Sequence, residues 1–346
     1  GHSGGYWFWL VAAGFGGLAL VAATFPPGIL WPAEGNGYDV LEYHLGVPRE
    51  YFEAGRIDYL PHNLYSNFPF NVEMLYLLTI VLHGEPLDAV FTAQMLNVLL
   101  GVLAVAAIWL AGREFGRTAG LVAGLAAATC PFLTYLCGVA YVENGMLFWT
   151  ALALAAVTRA GRTPAASGRW WLAAGLACGL TCGCKYTALP MVFAPLAAAA
   201  ASHALGGRLQ ASPVAPASRR WPVAGFILFL AGSAAAFAPW LMKNAAMTGN
   251  PLFPLARSVF PERAGVWNDD GAARWHEGHL PAPEDRPLAR RLLRLWQEIL
   301  TGSSLFGPMI GLGLILGAAA LPVSLRRLRQ TQPAVTDDRV NSQPTV

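Results

Sequence analysis

The sequence predicts an all-α polytopic membrane protein. Three observations carry that prediction. Hydrophobic residues make up 55% of the 346 and charged residues only 12%, the mean hydropathy is +0.43, and the apolar residues gather in long runs. A soluble domain carries about 25% charged residues, roughly twice this share. The formal charge of +3 matters less than where the charges fall. Internal repeats are not evident, no Gly-rich nucleotide-binding motif precedes a soluble helix, and no nucleic-acid partner is expected.

Apolar runs fall at about 6–26, 88–111, 118–136, 143–158, 170–204, 221–242 and 302–323. A helix needs roughly 20 residues to cross about 30 Å of hydrocarbon. The run at 170–204 is too long for one crossing and divides best near Cys184-Lys185, which makes eight spans. The first run lacks a basic start and a clear small-x-small cleavage site, so it reads as a retained span rather than a signal peptide. A further run, VEMLYLLTIVLHG at 72–84, is short for a crossing and reads as a re-entrant or interfacial helix.

The basic residues support that reading. Arg113 and Arg117 form one group, and Arg159, Arg162 and Arg169 a second. Arg208, Arg219 and Arg220 form a third, followed by Arg326, Arg327 and Arg329. If 72–84 does not cross, all four groups share the cytoplasmic side. The outer face then receives a first loop at 27–87, a turn at 137–142, the Lys185 turn and a long loop at 243–301. Residues 1–330 are expected to form one transmembrane domain, and the polar tail at 331–346 reads as disordered.

Ionisable groups in so apolar a chain need explaining, and YDVLEYHLGVPREYFEAG at 38–55 concentrates them. Its apolar residues recur at mostly helical spacing, as in an amphipathic helix lying on the membrane surface from about Asp39, with Pro48 limiting its regular extent. Asp39 and Tyr43, four apart, share a face, and Glu42 can join it. The simpler reading makes Asp39 a helix N-cap. Glu143, at the mouth of the fourth span, and Lys185, interrupting an apolar stretch, fall on the same outer face. Intramembrane ionisable groups are costly and usually functional; an interfacial Glu and a snorkelling Lys are the plainer alternatives. Two carboxylates and a lysine can activate a hydroxyl and stabilise a departing phosphate.

Other clusters are weaker. CGLTCGC at 178–184 lacks a second zinc-type pair and reads as small-residue packing between membrane helices. Trp275-His276-Glu277-Gly278-His279 is not an HExxH helix, and the nearby Gly and Pro favour a loop. Residues 286–300 alternate basic and apolar groups at helical spacing, as an interfacial helix would, with Arg290, Arg291 and Arg294 facing headgroups or a carrier phosphate.

Four stretches together resemble GT-C superfamily glycosyltransferases, in the bacterial branch similar to dolichyl-phosphate-mannose-protein mannosyltransferases. They are YDVLEYHLGVPREYFEAGRI at 38–57, PFLTYLCGVAYVENGMLFWTALAL at 131–154, GLTCGCKYTALPMVFAPL at 179–196 and APWLMKNAAMTGNPLFPL at 238–255. The resemblance implies a GT-C-like bundle of about eight or nine hydrophobic helices with an amphipathic helix in the first outer loop. It implies inverting transfer of a sugar from a polyprenyl-phosphate donor to a glycan, lipid or protein acceptor, at the outer face of a bacterial cytoplasmic membrane. Asp39 then matches the first-loop acid, as general base or acceptor-orienting group, and Glu143 the second acid. Lys185, with Tyr186 in the KYT element, matches the lipid-phosphate contact. Tyr43 and His44 match the family's YH pair, His44 binding phosphate, acceptor or a divalent cation; Lys243 and Asn244 belong to the last motif. No cofactor is expected; a divalent cation at His44 is the one candidate considered. Glu42 departs from the family pattern, which often has a small or neutral residue there, and the hydrophobic segments are fewer than many relatives carry. A transporter of lipid-linked sugars and a non-catalytic envelope scaffold are the rival readings. The transporter needs the phosphate site but no base, and the scaffold does not need the three ionisable groups to converge.

Overall fold

Helices account for nearly all the regular structure. The computed structural model describes residues 4–30, 37–163, 166–209 and 222–300, with positions 311, 313 and 315. Among the described residues the α-helices are α1 (Gly4–Ala22), α2 (Gly46–Ala54), α3 (Asn71–His83), α4 (Pro86–Arg113), α5 (Arg117–Ala128) and α6 (Pro131–Cys137). They continue with α7 (Glu143–Arg162), α8 (Ser167–Cys182), α9 (Ala194–Leu209), α10 (Pro222–Thr248), α11 (Asp269–Gly278) and α12 (Leu288–Leu300). The chain divides into two compact units, 1–280 and 281–346.

Two single helices, α4 and α10, are long and apolar enough to cross a membrane, and the pair α5–α6, bent by 58°, makes a third if it is one span. The other described hydropathy runs fold as shorter or more polar helices. The 170–204 run breaks at residues 183–188, where the expected cut falls: α8 ends at Cys182, and a π-helical turn, Leu189–Phe193, leads into α9. At 13 residues α3 is about 20 Å long and does not reach across about 30 Å of hydrocarbon. Gly84, left-handed at φ 75°, caps it by donating its N–H to the Ile80 carbonyl. The 302–323 run apart from positions 311, 313 and 315, the Arg219–Arg220 and Arg326–Arg329 groups and the 331–346 tail lie outside the described residues.

Small residues bring the spans together. Gly175 and Gly179 of α8, one helical turn apart, face α10 so closely that an added Cβ meets Phe229 O at 2.2 Å and Ser233 O at 2.3 Å. That spacing is the small-xxx-small packing of membrane helices, and it accounts for the CGLTCGC segment. Its cysteines Cys178, Cys182 and Cys184 are buried and free. A core of Tyr51, Phe70, Trp171, Phe229, Phe237 and Trp240 fills the space between α2, α8 and α10.

Three expectations need correction. The first-loop amphipathic helix is two pieces, a π-turn at Val40–His44 followed by α2. The Leu45 N–H bonds to Val40 O five residues back, at 2.8 Å, and Pro48 sits early in α2. The long outer loop begins later than 243, because α10 runs on to Thr248. The Trp275–Gly278 segment is helical, not a loop: Asn268 caps α11 by accepting from the Gly271 N–H at 2.7 Å, and Asp269 and Asp270 occupy its first turn.

In the second unit, α12 is strongly two-faced. Leu288, Leu292, Leu293, Leu295 and Trp296 are exposed along one side, with Arg290, Arg291 and Arg294 opposite. Arg294 pairs with Asp285.

Candidate active site

Asp39 stands at the N-cap position of the π-turn without making a cap hydrogen bond. Its Oδ2 instead accepts from the Tyr43 hydroxyl at 3.0 Å, and among the described residues Asp39 makes no other side-chain hydrogen bond. The helical four-residue spacing thus joins the pair, and the cap reading fails on geometry. Burial, then the Asp39 charge and hydrogen bond, push the Tyr43 phenol up, so it stays a donor.

Glu143 opens α7, where the helix dipole favours a carboxylate. Its Oε1 accepts from Lys185 Nζ at 2.6 Å, the carboxylate 19% and the lysine 34% exposed. For the Lys185 ammonium, burial works downward, but the Glu143 charge and hydrogen bond outweigh it, with smaller contributions from Asp39 and Glu73. The net shift is upward, so Lys185 stays charged. Asp39 and Glu143 both act on Tyr43 and on Lys185, which puts the two pairs in one electrostatic neighbourhood. Glu143 and Lys185 are thus in contact, while among the described residues no hydrogen bond or ion pair joins Asp39 to either.

His44 is buried. It is 2% exposed, its ring lies against Tyr43 and Tyr141 with centroids 4.1 and 5.0 Å away, and Nδ1 is hydrogen-bonded to Glu73 Oε1 at 2.8 Å. Glu73, 1% exposed, is the residue that sequence reasoning passed over. The available signal was a lone acid in the apolar run VEMLYLLTIVLH. Burial pushes the Glu73 carboxyl up and the His44 imidazole down. Both shifts disfavour the charged forms.

The start of α3 carries more than Glu73. Asn71 N–H donates to Gly183 O at 2.9 Å and Asn71 Nδ2 to Leu180 O at 2.9 Å, while Trp240 Nε1 donates to Asn71 Oδ1 at 2.7 Å. Val72 packs against Gly145, two residues after Glu143, so closely that a Cβ there meets it at 2.6 Å. Tyr76 donates its hydroxyl to Tyr141 O at 2.6 Å. The first two turns of α3 thus touch the Asp39, Glu143 and Lys185 segments.

Tyr186, Lys243 and Asn244 form a brace beside the site. Lys243 Nζ donates to Ser66 O at 2.6 Å; Asn244 Nδ2 donates to Asn67 O at 2.8 Å and to the Tyr186 hydroxyl at 3.0 Å; Tyr186 donates to Phe253 O at 3.1 Å. They tie α10 to the first loop and to the segment after α10. Among the described residues no group of three His, Cys, Asp or Glu side chains is placed to hold a metal ion; His44 has one ring nitrogen on Glu73, and His279 Nδ1 donates to Trp275 O at 2.7 Å.

The far end of α7 is basic. Arg159 Nε donates to Glu114 Oε1 at 2.7 Å, and Arg162 reaches the same residue. This joins the first two arginine groups at the end of the bundle opposite Glu143, since 20 residues of helix span about 30 Å.

Fold and site together define a multi-pass, all-helical membrane protein with a carboxylate–lysine centre at one end of its bundle. Residues 69–242, just over half the chain, match the family described as dolichyl-phosphate-mannose-protein mannosyltransferase, and the chain belongs to that family. Membership agrees with the GT-C-type resemblance; Glu73, Glu143 and Lys185 lie within the matched segment and Asp39 before it. Among curated protein sequences none matches. The chain is also similar to the Archaeoglobus fulgidus oligosaccharyltransferase. The complex of that protein with an inhibitory peptide and a dolichol-phosphate gives 16% identity and a TM-score of 0.43, over 96% of this chain and 40% of that one. The apo form gives 16% and 0.41, over 97% and 40%. The chain spans about two fifths of the length of these structures.

Proposed function

We propose that the protein transfers a sugar from a polyprenyl-phosphate-linked donor to an acceptor hydroxyl or amine, with inversion, at the outer face of a bacterial cytoplasmic membrane. The observation that carries this reading is the Glu143–Lys185 ion pair in a chain of the mannosyltransferase family, with the Asp39–Tyr43 pair on a turn held by α3, the same helix that contacts the Glu143 and Lys185 segments. The acceptor is a glycan, lipid or protein. The outer-face placement rests on the arginines gathered at the opposite end of α7.

Asp39 is the base. Tyr43 holds Oδ2, which leaves Oδ1 to take the acceptor's proton as the acceptor atom attacks the anomeric carbon. The bond from that carbon to the phosphate oxygen breaks, and its electron pair leaves with the phosphate. Phosphate needs no protonation to depart; Lys185 stabilises its charge, exchanging part of its contact with Glu143 for the donor. Glu143 keeps the lysine in place and orients the acceptor. The Tyr186–Lys243–Asn244 brace keeps the outer loops packed around the donor, and His44 acts from beneath rather than on the phosphate.

The test is incubation of purified protein with a panel of polyprenyl-phosphate sugars, with Asp39→Asn as control. The expected result is sugar transfer or donor hydrolysis by the wild type and none by the variant, with NMR reporting an inverted anomeric centre. A retained configuration rules out the single displacement. Movement of the carrier across a vesicle membrane without sugar transfer turns the reading to a transporter.

A further inference from the structure

An acid buried in a membrane bundle without a job is rare, and Glu73 has no part in the reaction just described. Its carboxylate is 1% exposed, one oxygen is on His44 and the other, Oε2, has no partner. Removing two polar groups from water costs stability unless their arrangement is used. The arrangement here links two segments 29 residues apart.

We propose that Glu73 is a positioning residue for Asp39: by holding His44 it locks the π-turn that carries Tyr43, and so sets where the Asp39 carboxylate points. This role rests on the proposed transfer reaction, and the strut has three joints. The first is the base of the strut. Asn71, two residues before Glu73, is bonded through backbone and side chain to Gly183 and Leu180, beside the Lys185 turn. The second is the Glu73–His44 bond at 2.8 Å. The third is the π-turn, where His44 follows Tyr43 directly, their rings 4.1 Å apart, and the Tyr43 hydroxyl meets Asp39. π-turns inside helices recur at functional sites because the extra residue re-aims side chains. Without the Glu73 anchor, the turn keeps its packing and the Asn63 Nδ2 bond to the Glu42 carbonyl at 2.8 Å, but His44 is free to shift, and with it the Tyr43 ring that it lies against and the Tyr43 contact to Asp39. The strut therefore fixes Asp39 relative to Lys185, the base relative to the leaving group. Misplacement of a reacting group by about 1 Å costs about 100-fold in rate.

The experiment compares Glu73→Ala, Glu73→Gln, His44→Phe and the His44→Phe/Glu73→Ala double variant in the purified full chain. His44→Phe keeps an aromatic ring between Tyr43 and Tyr141 but loses the bond, so it serves if Glu73→Ala does not fold. Glu73→Ala and His44→Phe are each expected to lower kcat by about 10- to 100-fold, as loss of supporting partners does, with the donor KM within about threefold. The double variant falls no further than either alone, and Glu73→Gln, which keeps the hydrogen bond, recovers most of the rate. Unchanged kcat in both single variants, additive losses, or a KM rising in step overturns the proposal. Carbodiimide labelling of Asp39, read by mass spectrometry against Glu50 as reference, needs no substrate. Its rate is expected to change in Glu73→Ala and His44→Phe but not in Glu73→Gln. A chain without transferase activity whose Asp39 labelling still responds this way overturns the proposed function and leaves the strut standing; labelling that does not respond overturns the strut.

Discussion

In the proposed reaction Asp39 and Lys185 divide the chemistry, and their substitutions are expected to separate it. Loss of a placed base lowers rates by about 10²- to 10⁴-fold, so Asp39→Asn keeps donor binding and loses turnover in that range. Lys185→Ala weakens donor binding as well, because the phosphate loses its counter-charge; isothermal titration with a polyprenyl-phosphate sugar reads the difference. The His44–Glu73 pair sets a pH signature on stability. Burial raises the Glu73 carboxyl above its ordinary 4.5 and lowers the His44 imidazole below its ordinary 6.5. Above 4.5 the unfolded chain releases the Glu73 proton before the fold does, so that group's contribution to stability falls as pH rises. Below 6.5 the unfolded chain protonates His44 before the fold does, so that group's contribution falls as pH falls. Between 4.5 and 6.5 the two effects oppose, which gives a plateau with a falling limb on either side. Each limb slopes by at most about 1.4 kcal/mol per pH unit. Melting curves in detergent from pH 3.5 to about 8.5 check this: relative to a His44→Leu/Glu73→Leu double variant, the wild type shows the plateau and both limbs.

At the scale of elements, α3 is the organiser. Its apolar composition and short length were legible. Its role was not, because Asn71, Val72, Glu73 and Tyr76 act on partners 29 to more than 100 residues away, and spacing along the chain does not encode those meetings. The Asp39–Tyr43 pair was legible for the opposite reason: four residues of helix bring it together. The α8–α10 contact gives a paired prediction. Gly179→Ala forces a Cβ to within 2.3 Å of the Ser233 carbonyl and destabilises by about 1–3 kcal/mol, as overpacking does. Gly161→Ala in α7 meets nothing within 4 Å and is neutral or stabilising by up to about 1 kcal/mol through helix propensity. Thermal melts of the two variants should move in opposite directions or differ clearly in size.

Across the whole molecule, α7 carries the polarity: Glu143 at its start, and at its end the arginines that close on Glu114. Single cysteines at positions 38 and 115, both exposed, in a background without the five native ones, test the sidedness. Impermeant maleimide is expected to label position 38 in intact cells and position 115 only after lysis; the reverse pattern turns the topology over. Composition and run length alone determined that this is a helical membrane protein, because the bilayer demands long apolar segments whose backbone bonds close internally. Local spacing determined the Asp39–Tyr43 pair, and charge in an apolar context singled out Glu143 and Lys185. Only the tertiary structure decided that the last two form an ion pair, that Lys243 and Asn244 brace loops, and that His44 lies buried on Glu73. Those outcomes depend on which helix faces meet, and in a chain where almost every face is apolar, hydrophobicity does not distinguish one meeting from another.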